Sequence, residues 1–172
     1  MIAPWTNGDT PEASEFNKFA EVEALFFNSQ KGLSTIVKGL GKAIVLKPSN
    51  KRYGVFEFKA KNLNPTKDIL CQAIYEMSGA DASKQALFKL SYEVSHEGGV
   101  KDSGNATKEI NTVNTADTQT TQDFNDELKI PNADLDAQTD TIRVKFERIN
   151  TGLSGTNNSH NFELFYLKFY QK

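Results

Sequence analysis

"KDILCQAIYEM", residues 67–77, can be read two ways, and the fold turns on the choice. Ile69, Leu70, Ala73, Ile74 and Met77 make a helical stripe, with Asp68 placed to cap it. Ile69, Cys71, Ala73, Tyr75 and Met77 equally make one face of a strand. Period alone leaves both readings open, so the flanking sequence has to arbitrate.

Outward from this stretch the alternation is clean. "VFEFKAK" (55–61) sets Phe56, Phe58 and Ala60 against Glu57, Lys59 and Lys61. "FKLSYEVS" (88–95) sets Phe88, Leu90, Tyr92 and Val94 against Lys89, Ser91, Glu93 and Ser95, and "IRVKFE" (142–147) sets Ile142, Val144 and Phe146 against Arg143, Lys145 and Glu147. Period-2 patterns of this kind belong to antiparallel sheets with one wet face. "KAIVLKP" (42–48) closes at Pro48 as a strand does, and residues 108–113 and 121–130 are weaker strand candidates. The segment "FELFYLKFY" (162–170) places Phe165, Leu167 and Phe169 on one face and Phe162, Leu164, Tyr166 and Tyr170 on the other. A strand apolar on both faces is central in its sheet or lies at a subunit contact. About eight such segments at regular spacing make a two-sheet fold. Residues 67–77 are therefore read as strand, and the fold class as mainly β: a jelly-roll-like antiparallel β-sandwich over residues 33–172.

The first 32 residues form a separate unit, an arm followed by one α-helix. Thr10 suits an N-cap, Pro11 the first helical position, and Glu12 and Glu15 the positive end of the helix dipole. Phe16, Phe19, Ala20, Val22, Phe26 and Phe27 recur at helical spacing, and Gly32 lies past the end. Trp5 precedes any regular element, and the sandwich pattern does not account for it.

Composition removes several function classes. Charged residues make up 24% with a net charge of −2 and both signs interspersed, which leaves no broad basic face for nucleic acid or an anionic membrane. The opening residues lack the basic and apolar regions of a signal peptide, and no apolar run reaches membrane-spanning length, so the expectation is a soluble protein made in a cytosol. Without that signal, the sequons at Asn105 and Asn157 carry little meaning. Cys71 is the single cysteine and is read as a small core residue.

His96 and His160 sit beside polar loop residues, and with Cys71 they make no zinc spacing. Asp134, Asp136 and Asp140 in "NADLDAQTD" match no calcium loop and read as a solvated turn. No nucleophile elbow and no phosphate-binding glycine loop occurs. The expectation is no enzyme, no cofactor and no metal site.

Two pieces together carry a family resemblance. "PWTNGDTPEASEFNKF" (4–19), with its Trp, its Gly and its "AxxFN" helix start, resembles the N-terminal segment of small tailed-bacteriophage virion proteins of head fibre, decoration or tail appendage type. The succession "RYGVFEFKAKNL", "ILCQAIYEMSGA", "ALFKLSYEVS", a Thr/Asn-rich span, "DTIRVKFERI" and "HNFELFYLKFYQK" is similar to the β-sandwich domain attached to it. The resemblance implies a virion location, contacts with other virion proteins of capsid or tail, frequent homotrimers, and no catalytic residues. Trp5, Phe16 and Phe19 then become the partner-docking residues, and Phe165, Leu167 and Phe169 the subunit-contact residues. The chain departs from the long fibres in having no coiled-coil repeat between its two pieces, which favours a short knob. The rival reading is a carbohydrate-binding module contacting host surface glycans. Against it, the loops expected at 96–108 and 150–160 carry no Trp, Tyr or Phe. A polysaccharide hydrolase ranks last.

Overall fold

The disputed stretch is extended. In the computed structural model, which describes residues 34–38, 41–47, 52–59, 63–81, 83–112, 115–124, 127–136 and 139–171, Ile69–Met77 is a strand with hydrogen-bonded neighbours on both sides. The arm, the helix and the docking residues Trp5, Phe16 and Phe19 lie outside the described residues.

The strands are β1 (Ser34–Lys38), β2 (Gly41–Leu46), β3 (Arg52–Lys59), β4 (Ile69–Met77), β5 (Gln85–His96), β6 (Lys101–Asn111), β7 (Thr120–Asp123), β8 (Lys129–Ile130), β9 (Thr139–Ile149) and β10 (Phe162–Tyr170). A short 3-10 turn, Asn132–Asp134, precedes β9. One sheet runs β1-β2-β10-β4-β7, with β8 also on β4, and the other runs β3-β9-β5-β6. Every ladder between these strands is antiparallel. The pairing is nested: β5 with β6 innermost, then β4 with β7 and β8, then β3 with β9, then β2 with β10. A long hairpin folded over on itself in this way is the jelly roll.

The inner faces carry the predicted residues. Phe56, Phe88, Leu90, Val94, Ile142, Val144 and Phe146 are at most 1% exposed, and Ile69, Cys71, Ala73, Tyr75 and Met77 join them from β4. Phe88 stacks on Phe146 at 5.3 Å and meets Phe162 of the facing sheet at 4.5 Å. The thiol of Cys71 is pushed well above its ordinary range by burial, so it is a packed apolar group and no nucleophile.

Two expectations need correction. Phe165, Leu167 and Phe169 do not share a face. The register of β10 on β4 jumps between Leu164 and Tyr166, so Phe165 is the extra residue of a β-bulge and the inward phase changes there. Phe162 and Leu164 point inward before the bulge, Leu167 and Phe169 after it, and all four are buried in the chain's own core. The strand is apolar in both phases because both phases feed one core. Residues 101–108, expected in a loop, are the first part of β6. Gly98 and Gly99, both at positive φ, make the tight turn that joins it to β5.

β4 is pinned at its start by Asp68. Its carboxylate accepts from Lys129 Nζ at 2.6 Å and from the Asn132 amide at 2.8 Å. The hydrogen bond from Lys129, chiefly, holds its pKa below the ordinary 3.8. A depressed folded value means that the stabilisation is complete above the ordinary value and is lost as pH falls through the folded one. Asp68→Asn should therefore lower the melting temperature at pH 7, and the difference should shrink as pH falls through and below the ordinary carboxylate range; melts across pH 2–7 check this.

Candidate functional site

The inward phase of β5 runs Phe88, Leu90, Tyr92, Val94 and ends on His96; that of β9 runs Ile142, Val144, Phe146 and ends on Arg148. Because β5 and β9 are antiparallel, these last residues close opposite ends of the core. Each is polar and almost fully buried, His96 at 7% and Arg148 at 1% exposure.

At the first end, His96 is no loop residue. Its Nδ1 lies 2.9 Å from Asp136 Oδ1 and its Nε2 lies 3.0 Å from Asp102 Oδ2. Next to it, Tyr92 Oη donates to Asp134 Oδ2 at 2.6 Å, and burial together with that carboxylate raises the phenol's pKa. Gly104 stands opposite Tyr92 on β6, where a Cβ would come within 2.3 Å of the phenol oxygen. Asp134 and Asp136 thus bind the segment before β9 down onto β5; Asp136 is exposed, as the solvated-turn reading expects, and its carboxylate also meets His96. The side chain of Asp140 lies outside the described residues.

Thr139 Oγ1, His96 and Asp102 stand in the order of a nucleophile, a base and an orienting acid, with 3.2 Å between the hydroxyl and Nδ1. Asp136 Oδ1 approaches the same Nδ1 more closely, and Thr139 Oγ1 accepts the Asp136 amide at 2.9 Å. The hydroxyl is committed to the loop.

At the opposite end, Arg148 reaches into the loop between β9 and β10. Nη1 donates to the His160 carbonyl at 2.6 Å; Nη2 donates to the Asn158 carbonyl and to Asn157 Oδ1. These partners are oxygens of neutral groups, and burial draws the guanidinium's pKa down to about 10, so it stays charged at neutral pH. Asn158, at 0% exposure, extends the network: Nδ2 donates to Thr112 Oγ1 at 2.8 Å and Oδ1 accepts the His160 amide at 2.8 Å. Asn157 and Asn158, read in the sequence only as part of a sequon, are structural. Arg148 was not singled out, although the alternation of 142–147 carried one step further reaches it.

A third cluster joins three separate segments. The carboxylates of Glu76, Asp117 and Glu163 come within 4.8 Å of one another. Hard oxygen donors at such spacing suit Ca²⁺ or Mg²⁺, and exposed acidic groups are also common without an ion. Glu76 and Glu163 are direct cross-strand neighbours on β4 and β10, a pairing that no local motif reveals.

No family model matches the sequence, and no curated protein matches it. Among solved structures, two of infectious bursal disease virus are similar in outline. The Gt strain structure aligns with a TM-score of 0.40 and 10% identity over 81% of this chain and 31% of its own. The Gx strain structure aligns at 0.35 and 10% over 80% of this chain and 36% of its own. The chain thus spans about a third of the length of each of these two structures. At these scores neither likeness carries an argument about function.

Proposed function

We propose that this protein is a structural component of a tailed-phage virion, attached to capsid or tail through its N-terminal segment and presenting the jelly roll as a knob, with a homotrimer as its assembled form. One observation carries the reading: the two buried polar side chains that end the inward rows, His96 and Arg148, are spent on closing the sandwich. His96 is held by two aspartates, and Arg148 by loop carbonyls. What the chain then offers a partner is the segment ahead of β1, where Trp5 is the single large aromatic of the arm. Trp is among the residues most enriched at binding hot spots. The resemblance of residues 4–19 to virion docking segments points the same way.

The test is Trp5→Ala. If Trp5 docks on a partner, the melting temperature should stay within a degree or two. Incorporation into particles should fall, since truncating a buried anchor costs roughly 2–4 kcal/mol. Normal incorporation would remove the docking role. A lowered melting temperature without an assembly defect would place Trp5 in the chain's own fold. Binding of the purified protein to host-surface glycans, unaffected by Trp5→Ala, would favour the carbohydrate-binding alternative.

A further inference from the structure

β6 ends its sheet: among the described residues it pairs with β5 alone, and its other side is an open edge. The hydrogen-bond phase of the β5–β6 ladder fixes which backbone groups face that edge. The His96 amide donates to the Val100 carbonyl at 2.9 Å, and the Thr112 amide to the Lys84 carbonyl at 3.0 Å. These even-numbered pairs bracket a ladder with no register shift, so the even residues of β6 turn their backbone groups to β5. The odd residues, Lys101, Ser103, Asn105, Thr107 and Glu109, turn theirs outward. Such a row is a template for another strand.

The charges on the edge select the strand that fits it. "KDSGNATKE" (101–109) inverts its charge about Asn105: Lys101 answers Glu109, Asp102 answers Lys108, and only small neutral residues lie between. An antiparallel copy turned about Asn105 sets each of these residues opposite its counter-charge, and opposite charges directly across a ladder stabilise it. A slip of two residues puts Lys101 against Thr107 or Asn111 and Asp102 against Ala106 or Ile110, and the matches are lost. A slip of one pairs inward with outward side chains. Lys101, Ser103, Asn105 and Thr107 are exposed. Lys101 Nζ donates to Glu93, and the Glu109 carboxylate accepts the amide and hydroxyl of Ser154. An ammonium has further N–H groups and a carboxylate further lone pairs, so both can take a second partner. Asp102 and Lys108 lie in the inward phase, held by His96 and Glu127.

We propose that two copies of this chain pair β6 to β6, antiparallel about a two-fold axis at Asn105, and join their β3-β9-β5-β6 sheets into one. In this register odd residues face odd residues, so every outward amide and carbonyl from Lys101 to Glu109 meets a partner. The axis is normal to the sheet, so both inner faces stay on one side and each core keeps its cover. The small side chains at the centre let the strands close to ladder distance, about 4.8 Å. The inference does not rest on the virion reading. A two-fold contact joins two chains whether each is single or already part of a trimer.

The experiment is charge reversal in the full chain, with pairwise association read by sedimentation velocity over a concentration series. Lys101→Glu and Glu109→Lys should each weaken pairing by about tenfold or more, since each turns attraction into repulsion at both ends of the ladder. The double variant should pair as the wild type does. An equal mixture of the two single variants should recover pairing too, because each reversed position then meets the other. Positions 101 and 109 of one chain stand about 27 Å apart along the strand, so this recovery cannot arise within a chain. Asn105→Pro removes an outward amide and no bond to β5, so it should abolish pairing while the chain still melts cooperatively, and it decides the matter should a reversal fail to fold. A wild-type chain that forms no pairs would overturn the proposal, as would pairing untouched by the reversals, or weakened by each and not recovered in the mixture. A trimer indifferent to both reversals would overturn it as well and leave the three-fold assembly standing.

Discussion

Replacing Phe88 by Ala should cost about 3–5 kcal/mol, the range for deleting a fully buried aromatic from a packed core. The ring is 0% exposed and is the joint between the sheets. It stacks on Phe146 of the neighbouring strand with the planes 6° apart, meets Phe162 of the facing sheet, and takes Phe124 edge-on at 6.0 Å. Those three rings sit on or beside strands fixed by hydrogen-bonded ladders, so the walls cannot collapse into the space left behind. The lost transfer energy and the cavity therefore add. In urea the midpoint should fall by about 2 M with the slope unchanged, taking about 2 kcal/mol per M for that slope. Phe58, stacked on Phe169 at 5.2 Å but only partly buried at the rim, supplies the comparison. Its Ala variant should lose clearly less. Equal losses at both positions would mean that Phe88 is not the centre of the core.

The same two strands show why much of the fold was legible and some of it was not. β5 and β9 are central, dry on one face and charged on the other, so alternation names their inward residues without ambiguity. β4 resisted because its outward positions include Leu70, which is buried, and Ile74, which is half-buried. An apolar residue on each face imitates a helical stripe. β10 misled for a related reason: the bulge at Phe165 changes the inward phase midway, and a period-2 reading assumes one phase throughout. The first half of β6, "KDSGNATK", has no apolar side to betray it, since an edge strand paired on one side needs none. What holds it is the Gly98-Gly99 turn and the ladder to β5.

The polar ends were harder still. Each inward row carries its alternation one step past the last apolar residue, and there the expectation of a core fails while the geometry of a core persists. His96 reads as the start of a loop, and Arg148 lies one step past the alternation read at 142–147. Their partners are reached through turns on which alternation is silent: Asp102 across the Gly98-Gly99 turn, Asp136 from the segment before β9, and the Asn158 and His160 carbonyls from the loop after it. The trio of Glu76, Asp117 and Glu163 is invisible for the same reason: only the β4–β10 register brings it together. Sequence periodicity reports which face a residue takes, and it is silent on what that face meets.

Arg148→Ala is the second large expected loss, about 3–5 kcal/mol, and its cause differs from that of Phe88. A guanidinium at 1% exposure with only neutral oxygens around it is itself a burden on the fold. Among the described residues its Nε–H also finds no acceptor. Removing the charge therefore returns some free energy. Against this, the carbonyls of Asn158 and His160 each lose a charge-assisted donor, and a buried acceptor left bare costs about 1–3 kcal/mol. Ala adds the cavity of one of the largest fully buried side chains in the protein. Arg148→Met keeps most of the volume and sheds the charge, so it should cost roughly half as much as Ala. That ordering, Ala worse than Met and both worse than wild type, is read from urea midpoints. The damage should also be local. Asn158 stays tied by its amide to the Gln85 carbonyl and by its side chain to Thr112, so the end of the loop near β5 should hold. Arg148 holds the His160 carbonyl, while the His160 amide rests on Asn158 Oδ1 and the Asn161 amide on Ser78 Oγ, so exchange should quicken at His160 more than at Asn161 in both variants. If exchange there is unchanged while stability falls, Arg148 contributes volume alone, and the carbonyl contacts do not organise the loop.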